Sequence, residues 1–206
     1  MDYIANLQNR YPELSCVTEK VREAVDMIIE SYRAGGKVLL CGNGGSAADS
    51  EHISGELLKG FMELRRPVGE ELEALKGALG DDAVKLQRGV PAVPLTSLSA
   101  SLSAFANDVD PELVFAQLTY ALGKKGDVLI CLSTSGNSKN VVRAARVARA
   151  LGIKTIGMSG AGGGAFSEIC DITIKAPERE TYKVQEYHLP IYHAICAEVE
   201  RILFVD

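Results

Sequence analysis

The segment from Lys37 to Glu56 constrains the fold most, because it joins a short apolar run, a glycine-rich loop and a helical pattern without interruption. The apolar run 37–41 lies between two glycine-rich stretches, which predicts a strand buried on both faces. After the loop 42–45, Ser46 with Asp49 three residues later forms a capping-box pattern, so we expect a helix that begins at Ser46. The free backbone N–H groups of its first turn favour an anion.

The same alternation of strand and helix continues along the chain. Apolar runs bounded by turn residues predict four further strands, at residues 92–96, 128–132, 154–158 and 172–174. Helical periodicity predicts helices between these strands, two more within residues 1–34 and a long one at the end of the chain. Buried strands that alternate with helices predict an α/β fold, a doubly wound parallel five-stranded sheet sandwiched by helices, with extra N-terminal helices.

Length and hydrophobic content indicate a single domain over residues 1–206, since 206 residues that are 47% hydrophobic can form one substantial core. The segment 62–90 departs from the strand-and-helix alternation. Its leucines recur at helical spacing among many charged residues, which predicts one or two short surface helices. We find no recognisable chemistry in this helical insertion.

Charge and cysteine usage exclude several classes of protein. The net charge is −5, and lysines and arginines are scattered, so no nucleic-acid partner is expected. The five cysteines include no C-x-x-C pair and lie mostly in apolar runs, which indicates reduced core residues and a cytoplasmic location. Neither a signal peptide nor a membrane-spanning run is evident, so no membrane association is expected.

Ligands of doubly wound sheets bind beyond the carboxyl ends of the strands, where two polar loops are expected to face one crevice. The first is the glycine loop 42–45, which matches neither common nucleotide-binding fingerprint. The second, residues 133–138, supplies four hydroxyl groups around Gly136 at the start of a helix, with Lys139 close by. Single serines are common in turns, but this concentration predicts a phosphate site, and a phosphate monoester fits better than a nucleotide.

His52 and Glu56 follow the glycine loop and, at a spacing of four, share one face of the predicted helix. Such pairs are most often solvated surface couples. A functional role for this pair therefore depends on other residues that converge on it.

Three motifs together resemble the sugar isomerase (SIS) domain, and within it the phosphoheptose isomerases. They are Cys41-Gly42-Asn43-Gly44-Gly45-Ser46, Ser133-Thr134-Ser135-Gly136-Asn137-Ser138 and Gln185-Glu186-Tyr187-His188. The resemblance covers residues 15–203. It implies a flavodoxin-like fold, conversion of sedoheptulose 7-phosphate to D-glycero-D-manno-heptose 7-phosphate, and a homotetramer with active sites between subunits.

The resemblance also implies roles for individual residues. Glu56 would be the base and His193 the acid of an aldose–ketose isomerisation through an enediolate, which needs both groups. A zinc ion would be held by His52, Glu56, Gln185 and His193. Substrate-binding positions would be Asn43, Gly44, Ser46, Glu56, Asn107, Asp108, Ser133, Thr134, Ser135, Ser138 and Gln185. Helix geometry separately gives His188 a supporting or packing role, because it lies five residues from His193 and both rings cannot easily face one ion; Tyr187 and Tyr192 are expected to pack.

Several positions depart from the family pattern and leave alternatives open. Ser97 stands where an Asp is usual, Lys59-Gly60 where an Arg is usual, and Thr181-Tyr182 near another usual Asp. These departures concern substrate contacts more than the base and the acid. The alternatives are a non-catalytic SIS regulator of the replication-initiator-associating type, against which Glu56 and His193 argue, and an isomerase or sensor for another sugar phosphate.

Overall fold

A computed structural model describes residues 1–205 and contains one sheet of five parallel strands in the order β2-β1-β3-β4-β5. The strands are β1 (Val38–Cys41), β2 (Ala92–Pro94), β3 (Val128–Leu132), β4 (Lys154–Gly160) and β5 (Ile172–Ala176). All five predicted strands are confirmed. The order is that of a flavodoxin-like doubly wound sheet, in which the direction of winding changes between β1 and β3.

Helices connect the strands and cover both faces of the sheet. They are α1 (Tyr3–Arg10), α2 (Thr18–Arg33), α3 (Gly45–Leu58), α4 (Gly69–Leu79), α5 (Ser99–Asp108), α6 (Val114–Leu122), α7 (Lys139–Ala150), α8 (Phe166–Ile169) and α9 (Thr181–Glu200). The two predicted N-terminal helices are therefore confirmed as α1 and α2. No helix within residues 1–205 combines the length and the apolar character needed to cross a membrane.

The core consists of two layers, one on each face of the sheet. Val38 and Leu40 of β1 pack into the layer formed with α1, α2, α3 and α9. Leu39 and Cys41 point into the opposite layer, formed with α6 and α7. Alternate residues of one strand thus enter both layers, which explains why β1 is apolar at every position.

The start of α3 differs from the predicted capping box. The N-cap is Gly44, with φ +55°, and no side chain caps the helix. Ser46 is buried inside the first turn, and the carboxylate of Asp49 accepts a hydrogen bond from Tyr192 instead. The left-handed conformation of Gly44 turns the chain into the helix one residue earlier than predicted, so the capping-box prediction was wrong.

The segment 62–90 forms α4 and a short 3-10 turn, and α4 contributes no buried residue, as predicted. Its apparent lack of chemistry was misleading, because Arg65 is only 2% exposed. The Arg65 guanidinium pairs with Glu200 Oε1 at 2.6 Å and donates to the carbonyls of Glu56 and Leu57. Arg65 therefore ties the last turn of α3 to the end of α9.

All five cysteines are free thiols, as expected from their spacing. Cys41, Cys131 and Cys196 are buried, and Cys170 is partly buried. Contacts with the neighbouring thiols of Cys170 and Cys41, together with burial, raise the pKa of Cys131, so this group stays protonated.

Candidate active site

Helices α3 and α9 lie side by side and run in the same direction, which places two pairs of residues opposite each other. Near the start of both helices, the Gln185 amide lies against Gly45. About 10–12 Å further along the axes, His52 faces His193. The sequence positions are 141 residues apart at the histidine pair, so the pairing of two distant helices builds the site.

His52 is the centre of a compact polar cluster. Its Nε2 lies 3.2 Å from Glu56 Oε1 and 3.4 Å from His193 Nε2. The other carboxylate oxygen of Glu56 is 3.3 Å from the ammonium group of Lys59, the residue that departs from the family pattern. Three of the four residues predicted to carry catalysis or metal binding therefore meet within one subunit.

The histidine that is the candidate acid sits in a partly buried environment. Phe61 packs against the His193 ring with centroids 5.4 Å apart. Burial lowers the pKa of His193, and the nearby charge of His52 acts in the same direction. The imidazole is consequently neutral near pH 7, the state in which a ring N–H can polarise a carbonyl group.

The loop 133–138 gathers its hydroxyl groups into one cluster. Ser133 Oγ lies 2.9 Å from Ser138 Oγ and 3.4 Å from Ser135 Oγ. The backbone N–H of Ser138, the N-cap of α7, points at Ser133 Oγ. Gly136 adopts φ +65° and packs so tightly against Gly163 that a side chain would not fit. The result is a concentration of small donors at a helix N-terminus, the arrangement that binds phosphate.

The two predicted ligand loops face each other at the point where the sheet changes winding. Asn43 in the first loop and Asn140 in the first turn of α7 exchange two amide hydrogen bonds of 2.9 Å. Gly44 and Ser46 lie directly beyond Asn43 at the start of α3. This bridge brings the first loop next to the helix that follows the second loop. Asn140 carries no motif that sequence reasoning would detect.

Some predicted positions lie away from the cluster around His52. Gln185 contacts Gly45 and not the histidines. Asn107 and Asp108 are exposed at the end of α5, where the Asn107 amide donates to the Asp108 carboxylate. Thr134 is half-buried, and its carbonyl accepts from the Gly160 N–H. None of these positions contacts His52, Glu56 or His193 in the described part of the subunit.

The cluster around His52 has the donors that zinc prefers. Ligands bonded to zinc at about 2.0–2.1 Å in a tetrahedron stand about 3.3 Å apart. The distances from His52 Nε2 to Glu56 and to His193, 3.2 and 3.4 Å, match this spacing. No group of three or more His, Cys, Asp or Glu side chains within residues 1–205 is closed enough to hold a metal ion by itself. The residues therefore fit zinc in donor type and in two ligand spacings, and a further ligand is needed.

Two neighbours of the cluster have clearer roles than the sequence indicated. His188 is fully buried, and its Nε2 lies 3.3 Å from the carbonyl of Ser159, so the expected packing role is confirmed. Tyr192 is also buried, but its hydroxyl group contacts both His52 and Asp49. The polar role of Tyr192 was missed, because its partners lie about 140 residues earlier in the chain.

An apolar cavity of about 370 Å³ opens beside His193. It lies between α1 and α9, and Arg10, Tyr11, Phe61, Met62 and Leu189 are among its lining residues. The candidate acid His193 thus borders an apolar hollow.

A doubly wound sheet with a hydroxyl-rich loop at its switch point, and a carboxylate and two histidines nearby, defines the class of SIS-type isomerases. The SIS domain model matches residues 2–90 and 87–160. A phosphoheptose isomerase from Rhodospirillum rubrum is 38% identical over 183 residues, 89% of this chain and 86% of that protein. One from Burkholderia pseudomallei is 41% identical over 184 residues, 89% and 82% of the two chains.

Solved structures agree with these relatives. The phosphoheptose isomerase from Neisseria gonorrhoeae superposes with a TM-score of 0.74 at 29% identity, covering 95% of this chain and 93% of that one. That from Francisella tularensis gives a TM-score of 0.77 at 27% identity, with 96% and 93% covered. The chain belongs to the phosphoheptose isomerase family of SIS-domain proteins, and it is an isomerase.

Proposed function

We propose that this enzyme interconverts sedoheptulose 7-phosphate and D-glycero-D-manno-heptose 7-phosphate through an enediolate. Membership of the family makes the chain a sugar-phosphate isomerase. The finer proposal rests on the surroundings of His52. Its Nε2 atom lies 3.2 Å from Glu56 Oε1 and 3.4 Å from His193 Nε2. A carboxylate and a neutral imidazole are the two groups that a proton transfer between adjacent carbons requires.

Glu56 is the base in this mechanism and takes the proton from the substrate carbon. His52 and Lys59 contact its two carboxylate oxygens and hold the group in place. His193, neutral because burial lowers its pKa, donates its N–H to the oxygen on which negative charge develops. Phe61 packs beside the His193 ring and supports its orientation.

The phosphate group of the substrate binds at the loop 133–138. Ser133, Ser135 and Ser138 present clustered hydroxyl groups, and the N-terminus of α7 adds backbone N–H groups. Thr134, Asn43, Gly44, Ser46 and Gln185 are proposed to bind the rest of the substrate. Asn107 and Asp108, which are distant within the subunit, would contribute from another subunit.

Zinc is proposed as the cofactor, with His52, Glu56, Gln185 and His193 as the residues that would hold it. When bound, zinc supplies Lewis-acid polarisation of the substrate oxygens. Contact between Gln185 and Gly45 in the structure means that the amide has to leave Gly45 to join the other three residues.

A homotetramer is also proposed. Leu58, Met62, Leu64 and Leu189 are large apolar side chains that are between 41 and 65% exposed, and they lie around the site. Burial of these side chains between subunits would remove apolar surface from water. Light scattering after size-exclusion chromatography would test this, and a monomer at all concentrations would contradict it.

The decisive experiment measures turnover of sedoheptulose 7-phosphate with and without added zinc. Glu56→Gln is expected to lower kcat by about 10²–10⁴-fold, because an amide cannot accept the carbon proton. His193→Asn should also be strongly impaired. Glu51→Gln is a matched control on the same helix, since exposed Glu51 contacts only Thr96 of the residues described. Absence of turnover in the wild type under every metal condition would contradict the assignment of sedoheptulose 7-phosphate as the substrate. Turnover of a different sugar phosphate would then identify that sugar as the substrate.

A further inference from the structure

The hydroxyl group of Tyr192 connects the partly buried carboxylate of Asp49 to the ring of His52. Tyr192 Oη lies 2.9 Å from His52 Nδ1 and 3.3 Å from Asp49 Oδ1. The rings of Tyr192 and His52 pack edge to face with centroids 5.4 Å apart. Asp49 and Tyr192 belong to α3 and α9, so this contact joins the same two helices that build the site.

A hydroxyl group has one proton, so Tyr192 donates to one of its two neighbours and accepts from the other. A phenol keeps its proton at neutral pH, because its usual pKa is about 10. Asp49 Oδ2 is buried and has no hydrogen-bond partner within residues 1–205. If Tyr192 donated to His52, neither oxygen of the Asp49 carboxylate would have a donor, which is costly because Oδ2 is buried.

Donation from Tyr192 to Asp49 determines the state of the histidine. The phenol oxygen then accepts a hydrogen bond from His52 Nδ1–H. In a neutral ring, the proton on Nδ1 leaves Nε2 with a lone pair. That lone pair faces Glu56 Oε1 at 3.2 Å and His193 Nε2 at 3.4 Å. Since Glu56 offers only lone pairs as well, this arrangement favours a positively charged species at Nε2.

We propose that Asp49 and Tyr192 are positioning residues that place the ring proton of His52 on Nδ1, so that Nε2 presents its lone pair to a divalent metal ion. The inference rests on the proposed function only in treating His52, Glu56 and His193 as the active site. The relay thus orients the metal-binding atom of His52.

The first test determines the His52 tautomer in the metal-free protein by long-range ¹⁵N–¹H correlation at about pH 8, above the usual pKa of histidine. The chain has three histidines, and loss of a signal in His52→Gln assigns the ring. We expect the Nδ1–H form in the wild type and a shift toward the Nε2–H form in Tyr192→Phe and Asp49→Asn. An Nε2–H ring in the wild type would overturn the proposal.

The second test measures zinc affinity by competition with a chelator, with no substrate present. Removal of a hydrogen-bond partner of a metal-binding histidine is expected to weaken zinc binding about 10–100-fold. Tyr187→Phe is the matched control, because Tyr187 is on the same helix and its hydroxyl donates to Glu13 on the surface. Affinity of Tyr192→Phe within about twofold of Tyr187→Phe would refute the relay.

Asp49→Asn keeps the size of the side chain and leaves Tyr192 in place, so it tests the relay even if Tyr192→Phe fails to fold. Both measurements are made without a sugar phosphate. An altered tautomer and weakened zinc binding would therefore support the relay even if sedoheptulose 7-phosphate were not the substrate. Conversely, turnover of that sugar with an Nε2–H His52 would leave the proposed function standing and remove the relay.

Discussion

Gly45 and Gln185 face each other so closely that a Cβ atom added to Gly45 would lie 2.7 Å from Gln185 Nε2. The contact pairs the first turn of α3 with the residue predicted to bind both substrate and metal. Because the obstructing atom is the end of a flexible side chain, a larger residue at position 45 would displace the amide rather than the backbone.

Gly45→Ala is therefore expected to raise KM for the sugar phosphate several-fold while the free energy of unfolding changes by less than about 1 kcal/mol. Steady-state kinetics and urea denaturation would measure the two effects. Gly55→Ala is the control on the same helix, since nothing lies within 4 Å of a Cβ at that position. Equal KM values for the two variants would show that the position of the Gln185 amide is immaterial to binding.

Ser133→Ala removes the hydroxyl group that contacts both Ser135 and Ser138. Loss of one hydrogen bond to a charged phosphate costs about 1.5–3 kcal/mol, so binding should weaken about 10–100-fold. Titration with inorganic phosphate as a competitive inhibitor would measure this directly. Ser103→Ala, at an exposed serine that bonds only within α5, should leave the inhibition constant unchanged, and the phosphate assignment fails if Ser133→Ala behaves in the same way.

Arg65→Met leaves the carboxylate of Glu200 buried without its charged partner. Removal of one member of a buried pair is expected to lower the free energy of unfolding by about 3–5 kcal/mol. Lys20→Met provides the comparison, because the Lys20–Glu23 pair is exposed to solvent and should contribute little to stability. If denaturation midpoints of the two variants coincided, the stabilising role of Arg65 would have to be abandoned.

His188 predicts a specific dependence of stability on pH. Burial lowers the pKa of His188 from 6.5 to about 4, and the hydrogen bond to the Ser159 carbonyl opposes this only partly. The unfolded chain binds a proton below about pH 6.5 and the folded chain does not until about pH 4. The stabilisation is therefore complete above pH 6.5 and is lost as pH falls, by about 3 kcal/mol over that range.

Denaturation of the wild type and of His188→Gln at a series of pH values would isolate this contribution. Glutamine does not titrate, so the difference between the two stability curves should narrow as the solution is acidified from about pH 7 to 4. A constant difference across the range would mean that His188 is not a buried neutral base.

Local patterns predicted much of this structure. The five strands were recoverable because each contains apolar residues bounded by turn residues, and β1 is apolar at all four positions. The hydroxyl-rich loop and the His52–Glu56 pair were recoverable because their members are close in sequence. The start of α3 was misjudged by one residue, since Gly44 rather than a hydroxyl side chain caps the helix.

Long-range polar contacts were not predictable in the same way. Arg65 lies in a segment rich in charged residues, which is typical of a protein surface. Its partner Glu200 is 135 residues away in the chain, so no local pattern indicates that the two side chains pair. The ring of Tyr192 is buried in the core, as its sequence context predicts. Its hydroxyl group, however, contacts His52 on another helix. Such contacts depend on how two helices are placed, which a periodicity cannot encode.

The parallel pairing of α3 with α9 also affects how the enzyme acquires activity. Since His52 and His193 are separated by 141 residues, the site does not exist until the last helix has docked on the third. Contacts of such long sequence separation form late and slowly in folding. The rate at which catalysis recovers after dilution from denaturant would therefore measure the rate of this docking. We expect activity to recover more slowly than the circular dichroism signal of the helices.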